Sequence, residues 1–215
     1  MSKKAFGAGT LLSPVPVVMA TTGDIDGDSN IITIAWTGII NSQPPMTYIS
    51  VRPERYTYDM LDECGEFVIN LVNKDIVKAT DFCGVKSGKD IDKWAEAGLT
   101  KEKSTHVKCP QIKESPFSLE CKVVEKKELG SHHMFLAEIV GINADEKIVD
   151  ENNRICLDKA GLVCYAHGQY YGVENESLGR FGFSVMKEKT KKRIEKEARR
   201  NNRNKFKGYK KKNYK

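Results

Sequence analysis

Residues 15–36, VPVVMATTGDIDGDSNIITIAW, decide the fold of this chain. Two runs rich in β-branched residues, 15–22 and 31–36, flank a segment of Gly, Asp, Ser and Asn, which tolerate the dihedral angles of turns. This pattern predicts a β-hairpin with a long polar loop. The prolines at positions 14 and 16 suit the entry of a strand.

The chain up to about Ile142 continues in the same way, with short β-rich runs separated by Gly, Pro, Asp and Asn. Further strands are predicted over residues 46–51, 67–72, 118–125, 134–142 and 162–166. Brief helices are predicted over residues 56–63, 75–82 and 90–97, with Gly98 at the end of the last one. Strands and helices do not alternate regularly, so the pattern predicts an all-β or α+β barrel rather than a doubly wound sheet.

Charge divides the chain into two parts. Residues 187–215 carry 15 Lys and Arg against 3 Glu, whereas the preceding 186 residues carry 20 basic and 26 acidic groups. We therefore predict a globular domain over residues 1–186 and a basic tail over residues 187–215. The tail is predicted to be helical to about Arg200 and disordered beyond it, because its few apolar side chains cannot offset the entropy of ordering.

The six cysteines stand at positions 64, 83, 109, 121, 156 and 164, with no C-x-x-C pair among them. This spacing favours buried free thiols over a disulfide framework, and it predicts no metal site. No apolar run approaches the roughly 18 residues that span a bilayer. The first residues do not form the apolar segment of a signal peptide, so we expect a cytoplasmic protein without a membrane segment.

Two segments have the chemistry of an anion site. In residues 51–57, VRPERYT, a strand ends in two arginines and a helix begins near Thr57, so Arg55, Thr57 and the helix N-terminus could bind a phosphate. In residues 87–94, SGKDIDKW, Asp90 is a candidate helix cap and Lys93 adds a second cation. Each segment alone also fits a capped surface helix, with the second anchored by Trp94.

Two more segments suit a planar ring. Residues 129–135, LGSHHMF, place two adjacent histidines that would point to opposite faces of a strand, one of them into a site. Trp36, at the end of the second predicted strand, could flank a ring. A solvent-facing turn histidine and a core tryptophan are the alternatives that the residues leave open.

Taken in order along the chain, these motifs resemble one family. They are residues 12–18 (LSPVPVV), Asn30, residues 55–57 (RYT), residues 65–70 (GEFVIN), residues 92–94 (DKW) and residues 130–132 (GSH). Their order and spacing over roughly residues 8–172 resemble the flavin reductase-like, FMN-binding split-barrel family, and its flavoredoxin members most closely.

The resemblance implies a six-stranded antiparallel Greek-key split barrel that holds FMN near a homodimer interface. It assigns the phosphate to Thr57 and Lys93 with Arg55 beside them, and it puts His132 close to the flavin, although Ser131 replaces the usual Asp before it. The full predicted set of cofactor-binding residues is Asn30, Trp36, Thr37, Arg55, Thr57, Asn70, Lys93, His132 and Tyr165.

The function implied by the resemblance is that of a flavin oxidoreductase, in which NADH or NADPH passes hydride to FMN and the electrons go on to free flavin, dioxygen or a protein partner. No protein residue is predicted to be catalytic, since the cofactor carries the chemistry. A flavoredoxin-like electron carrier without nicotinamide activity is the alternative. A nucleic-acid-binding role of the basic tail is disfavoured, since the tail offers only three aromatic residues for stacking and no readout motif.

Overall fold

The computed structural model describes residues 2–194 and 196. The strands are β1 (Val15–Pro16), β2 (Val18–Gly23), β3 (Ser29–Ile34), β4 (Thr37–Ser42), β5 (Pro45–Val51), β6 (Glu66–Leu71), β7 (Lys101–Glu102), β8 (Gln111–Ile112), β9 (Phe117–Glu128), β10 (His133–Ala144), β11 (Val163–Ala166) and β12 (Gln169–Gly172). The α-helices are α1 (Tyr56–Cys64), α2 (Val77–Val85) and α3 (Lys93–Glu96), and residues 188–194 are also helical. Short 3-10 helices cover Glu146–Ile148, Leu157–Lys159 and Phe183–Val185.

The main sheet has seven strands in the order β3-β2-β6-β9-β10-β5-β4, and each neighbouring pair is antiparallel. The hairpin predicted from residues 15–36 is present as β2 and β3, with Thr21 opposite Ile31. A second sheet joins β1, β11 and β12, and β7 pairs with β8. The predicted all-β class with a few short helices is confirmed.

Alternate residues of β2 enter two different apolar clusters, which explains why this strand reads as a continuous apolar run. Val18 and Ala20 pack with Phe67 and Phe135 in one cluster. Met19 belongs to the other cluster, which also contains Trp94 at the start of α3. Because both faces of the sheet are covered here, a shift of register by one residue would exchange the two sets.

Strand β4 (Thr37–Ser42) is missing from the sequence prediction, so the main sheet has seven strands where six are predicted. Gly38, Asn41 and Ser42 have low strand propensity, and the segment therefore reads as a loop. Pairing with β5 supplies its backbone hydrogen bonds, and Thr37 Oγ1 donates to the carbonyl of Tyr48 at 2.6 Å.

The helix predicted over residues 90–97 is shorter, because Asp92 rather than Asp90 is its N-cap. The Asp92 side chain accepts hydrogen bonds from the amides of Trp94 and Ala95, and α3 covers only four residues. Gly98 follows the C-cap with a φ of 65°, a conformation that glycine adopts without steric cost.

A buried carboxylate fixes the loop between β7 and β8. Glu120 on β9 is 0% exposed, and it accepts hydrogen bonds from the amides of Thr105, His106 and Val107 and from the Asn143 side chain. Burial alone would raise the pKa of Glu120, but these hydrogen bonds outweigh burial and lower the pKa below its ordinary value. The loop over residues 103–110 is thereby held to the main sheet.

The chain divides into two compact units, Met1–Asn175 and Glu176–Lys215. The boundary at residues 186 and 187 stays a prediction. The disorder predicted for residues 201–215 lies outside the described residues, as do residues 195 and 197–200 of the helix predicted to Arg200. Among the residues that the structure describes, no helix is long and apolar enough to cross a membrane.

Candidate functional site

Two adjoining pockets share Ile32, Arg55 and Gly84 in their walls. The smaller pocket, about 170 Å³, is lined by Asn30, Ile32, Glu54, Arg55, Tyr56, Thr57, Cys83, Gly84, Lys86, Ser87, Gly88 and Lys93. The larger pocket, about 400 Å³, is lined by Val17, Ile32, Thr33, Ile34, Ala35, Trp36, Ser50, Val51, Arg52, Arg55, Asp81, Gly84, Val85, His132, Tyr165 and Tyr170. A ligand that occupies both pockets would contact these three shared residues at the junction.

The N-terminus of α1 faces the smaller pocket. Its N-cap is Arg55, in extended conformation, and no side chain caps the helix. The hydroxyl of Thr57 accepts a hydrogen bond from Asn30 Nδ2 at 2.8 Å, which leaves its own O–H free to donate. Uncapped backbone amides, a hydroxyl and a guanidinium together make a site for an anion.

Lys93 supplies the buried charge of this pocket. Its side chain is 4% exposed, and its Nζ donates to the carbonyls of Ile31 and Cys83, both at 2.8 Å. An ammonium group has three N–H donors, so one is left for a ligand as far as the described residues show. Burial, together with the nearby charge of Arg55, lowers the pKa of Lys93 to about 8, and a bound anion would oppose that shift.

Gly88 closes the smaller pocket on the side of Asn30. A Cβ placed on Gly88 would lie 2.3 Å from Asn30 Oδ1, well inside van der Waals contact. Only glycine therefore lets the backbone between α2 and α3 approach the Asn30–Thr57 pair this closely. The close approach keeps the pocket small and its donors near one another.

Aromatic rings form much of the wall of the larger pocket. The ring centroids of Trp36 and His132 are 6.4 Å apart, and their planes are tilted by 31°. Tyr165 and Tyr170, on β11 and β12, make an edge-to-face contact at 5.6 Å. The Tyr170 hydroxyl donates to Asp81 at 3.1 Å, which fixes the orientation of its ring. Such walls suit a flat, conjugated ligand.

The two adjacent histidines have different surroundings, although only His133 belongs to a strand, because β10 begins there and His132 precedes it. His132 lines the larger pocket, and its Nδ1 lies 3.0 Å from the hydroxyl of Ser131. Burial and the charge of Arg52 lower the pKa of His132, so its ring is neutral at neutral pH. His133 does not point outward to solvent, since its Nδ1 lies 2.7 Å from the Tyr58 hydroxyl.

The structure brings seven of the nine predicted residues to the two pockets: Asn30, Arg55, Thr57 and Lys93 line the smaller one, and Trp36, Arg55, His132 and Tyr165 line the larger one. It does not bring Thr37 or Asn70 there. The Asn70 amide donates to the carbonyl of Met19 and accepts from the Ile112 amide, so it joins strands inside the core. Thr37 is bonded within the β4–β5 pair.

Tyr170 is a lining residue that the sequence prediction missed, because β12 was not predicted. The signal was available in His167 and Gly168, which have φ angles of 51° and 80° and form the two-residue turn between β11 and β12. Arg52, Ser87 and Gly88 belong to the two segments with anion-site chemistry, but only the fold shows that they line the pockets.

Two of the cysteines lie next to each other in the fold. Cys64 and Cys109 are 45 positions apart in sequence, yet their sulfur atoms are 3.6 Å apart. Hydrogen bonding from the Cys109 thiol lowers the pKa of Cys64 to about 6, whereas burial raises that of Cys121 to about 12. The described cysteines are all free thiols, but only Cys83, Cys109 and Cys121 are buried, whereas most of the six were predicted to be.

Comparison with known proteins identifies the family of the chain. A family model described as a flavin reductase like domain matches residues 10–174. The flavoredoxin of Desulfovibrio vulgaris (Miyazaki F) is 34% identical, with a TM-score of 0.80 over 86% of this chain and 100% of that chain. A flavoredoxin from Methanosarcina acetivorans is 26% identical, with a TM-score of 0.76 over 86% and 100% of the two chains.

An FMN-binding protein from Thermus thermophilus shares the fold at 21% identity, with a TM-score of 0.69 over 84% of this chain and 99% of that chain. A protein from Shewanella frigidimarina that is described as having a split barrel domain is 24% identical, with a TM-score of 0.70 over 80% of this chain and 87% of that chain. Together with the flavoredoxins, these matches confirm the split-barrel fold that the motifs imply.

Proposed function

The chain belongs to the flavin reductase-like domain family, and we propose that it is an FMN-binding flavoprotein that acts as an NAD(P)H-dependent flavin oxidoreductase. The observation that carries the proposal is the junction of the two pockets at Arg55, where a small cationic pocket opens into a larger aromatic one. A phosphorylated flavin needs both kinds of surface, at a short distance from each other.

The residues of the smaller pocket fit the phosphate of FMN. The Thr57 hydroxyl, the Arg55 guanidinium and the free amides of α1 are donors, and Lys93 adds a charge in a site of low dielectric. Charge-assisted hydrogen bonds of this kind are about twice as strong as neutral ones. Glu54 is the acidic residue at the rim, and it forms an ion pair with Arg52 at 3.3 Å.

The larger pocket fits the flavin ring. When bound there, FMN would supply the two-electron redox chemistry. Trp36 and His132 would orient the ring and exclude water from one side. The guanidinium groups of Arg52 and Arg55 would favour negative charge on the ring, and the neutral His132 would donate or accept a hydrogen bond.

A reductase activity can be tested directly by steady-state oxidation of NADH and NADPH with the FMN-loaded protein and free flavin as acceptor. We expect turnover with at least one of the two nucleotides. Trp36→Ala will lower kcat/KM by about tenfold, because stacking on an aromatic side chain contributes about 1–3 kcal/mol. Trp36→Phe, which keeps a flat ring, is the matched control. Negligible turnover by FMN-loaded wild-type protein would contradict the reductase function.

The second candidate function is that of a flavoredoxin-like electron carrier, which receives its electrons from a redox partner protein. The similarity to two flavoredoxins over their full lengths favours it. Both functions need the same FMN site, so an FMN-loaded protein without nicotinamide turnover would select the carrier.

The affinity for FMN will depend on pH through Lys93. Because the pKa of Lys93 is about 8 in the free protein and a bound phosphate raises it, binding takes up a proton at higher pH. We expect the affinity to fall by up to about tenfold between pH 8 and pH 9, since one pKa unit corresponds to about 1.4 kcal/mol. Fluorescence titrations across this range measure the slope.

Riboflavin, which lacks the phosphate, is the control for this titration, and its affinity will stay flat over the same range. An FMN affinity that stays equally flat, or rises with pH, would show that Lys93 does not meet the phosphate.

A homodimer is part of the proposal. Strand β4 is one edge of the main sheet, and its Ile39 and Ile40 are 68% and 42% exposed. An apolar edge strand of this kind is normally covered. Trp36 immediately precedes β4, so a second copy of the chain on this edge would lie close to the larger pocket.

A further inference from the structure

Cys64, Glu66 and Cys109 bring three ligand atoms together outside the two pockets described above. Cys64 is the last residue of α1, Glu66 is the first residue of β6, and Cys109 precedes β8. Their two sulfur atoms and one carboxylate oxygen all lie within 4.8 Å of one another. Cys109 is 0% exposed, whereas Cys64 and Glu66 are half-buried.

The spacing of the sulfur atoms matches metal ligation better than a disulfide. Two thiolates bound tetrahedrally to zinc at about 2.3 Å are separated by about 3.8 Å. The Cys64 and Cys109 sulfur atoms are 3.6 Å apart. A disulfide would require them to approach to about 2.05 Å.

Both segments are held in place by other contacts. The carboxylate of Glu66 accepts a hydrogen bond from the Lys108 amide at 2.9 Å. The Ser104 hydroxyl donates to the carbonyl of Cys109 at 2.6 Å, and the Thr21 hydroxyl donates to the carbonyl of Pro110 at 2.6 Å. Ligands oriented in this way by their neighbours lose little conformational freedom when a metal binds.

Carboxylates outnumber basic groups around the three ligands. The Glu66 carboxylate also forms an ion pair with the half-exposed Lys122 Nζ at 3.5 Å, and a bound cation would compete with that pair. Cys64 borders a surface pocket of about 530 Å³, which contains four carboxylates and one basic side chain. The carboxylates are Asp24, Asp28, Asp59 and Glu63, and the basic residue is Lys108. This surface raises the local concentration of cations, and it repels anionic thiol reagents.

We propose that Cys64, Cys109 and Glu66 bind one divalent cation of the zinc type, with a water molecule from the adjacent pocket as the fourth ligand. Two thiolates and one carboxylate suit this metal. Binding releases the Cys109 thiol proton to solvent, and also that of Cys64 wherever it is still protonated, and it changes no oxidation state. The metal would fasten the end of α1 to the loop over residues 103–110, and it is independent of the proposed flavin site.

The test is a titration of the full-length, FMN-loaded protein, with its cysteines kept as free thiols, with Zn²⁺ in competition with a chromophoric chelator. We expect one zinc ion per chain in the wild type. Cys64→Ser will weaken binding by at least about 100-fold, because it removes a ligand, and Glu66→Gln will weaken it by about tenfold or more. Cys156→Ser, at another half-buried free thiol, is the matched control and will bind like the wild type.

Alkylation of the wild type provides a second measurement that does not depend on the folding of a variant. Zn²⁺ will protect Cys64 from a neutral alkylating reagent, while Cys156 and Cys164 react at unchanged rates. Equal zinc affinity in the wild type and Cys64→Ser would overturn the proposal. So would a disulfide between Cys64 and Cys109 that forms readily in a protein that does not bind zinc.

Discussion

Replacing Lys93 with methionine will lower the affinity for FMN by at least about 30-fold, while the affinity for riboflavin will change by no more than about threefold. The change keeps the length of the side chain and removes its charge. Removing one partner of a buried charged hydrogen bond costs about 2–5 kcal/mol, which corresponds to about 30-fold to several thousand-fold in affinity. The measurement is the quenching of flavin fluorescence on titration with protein.

Lys93 also donates to two backbone carbonyls, so the variant will lose some stability. Comparison with riboflavin separates that loss from the loss of a contact with the phosphate. A purely structural role would weaken both flavins equally, and that result would contradict the phosphate assignment. Lys78→Met, on the exposed surface of α2, is the matched control and will bind both flavins like the wild type.

Glu120→Gln will lower the free energy of unfolding by about 3 kcal/mol, because it turns one half of a buried acceptor into a donor. The carboxylate accepts all its hydrogen bonds from N–H groups, three of them backbone amides of residues 105–107. The Gln NH₂ group would face at least one of these donors. Equilibrium unfolding in urea measures the loss, and Glu125→Gln, exposed on the same strand, is the control.

The stabilisation by Glu120 will also depend on pH. Its pKa in the folded protein lies below the unfolded value of about 4.3, so the unfolded state takes up the proton first as the pH falls. The contribution is therefore complete above the unfolded pKa and is lost as the pH falls through the folded pKa. The stability difference between wild type and Glu120→Gln will shrink in acid, and a difference that grows instead would contradict this assignment.

Seven of the nine residues predicted from the sequence line the two pockets. Arg55 and Thr57 were recognisable because strand-to-helix junctions with basic residues suit phosphate, and Lys93 because it opens a capped helix. The resemblance supplied what spacing alone could not, namely that Lys93 and Thr57 meet in one pocket. It assigned Asn30 to the flavin ring and its ribityl chain, whereas the structure places Asn30 beside Thr57. Asn70 was grouped with them because it lies in a shared motif, but its side chain serves the core.

Other features depend on contacts between distant segments and leave no local pattern. Glu120 reads as an ordinary charged residue in a strand, and only the loop folded over it explains its burial. Cys64 and Cys109 have no ligand spacing in sequence, so their approach in the fold leaves no signal there. Strand β4 was missed for a related reason, since its pairing with β5 overrides its weak propensity.

The most direct test of the central claim is a titration of the purified, flavin-free protein with FMN, followed by the visible absorption spectrum. We predict a shifted and better resolved flavin band that saturates at one FMN per chain, with riboflavin binding at least about 100-fold more weakly, as expected from the phosphate contacts. A spectrum that remains that of free FMN throughout, or equal binding of FMN and riboflavin, would contradict the account.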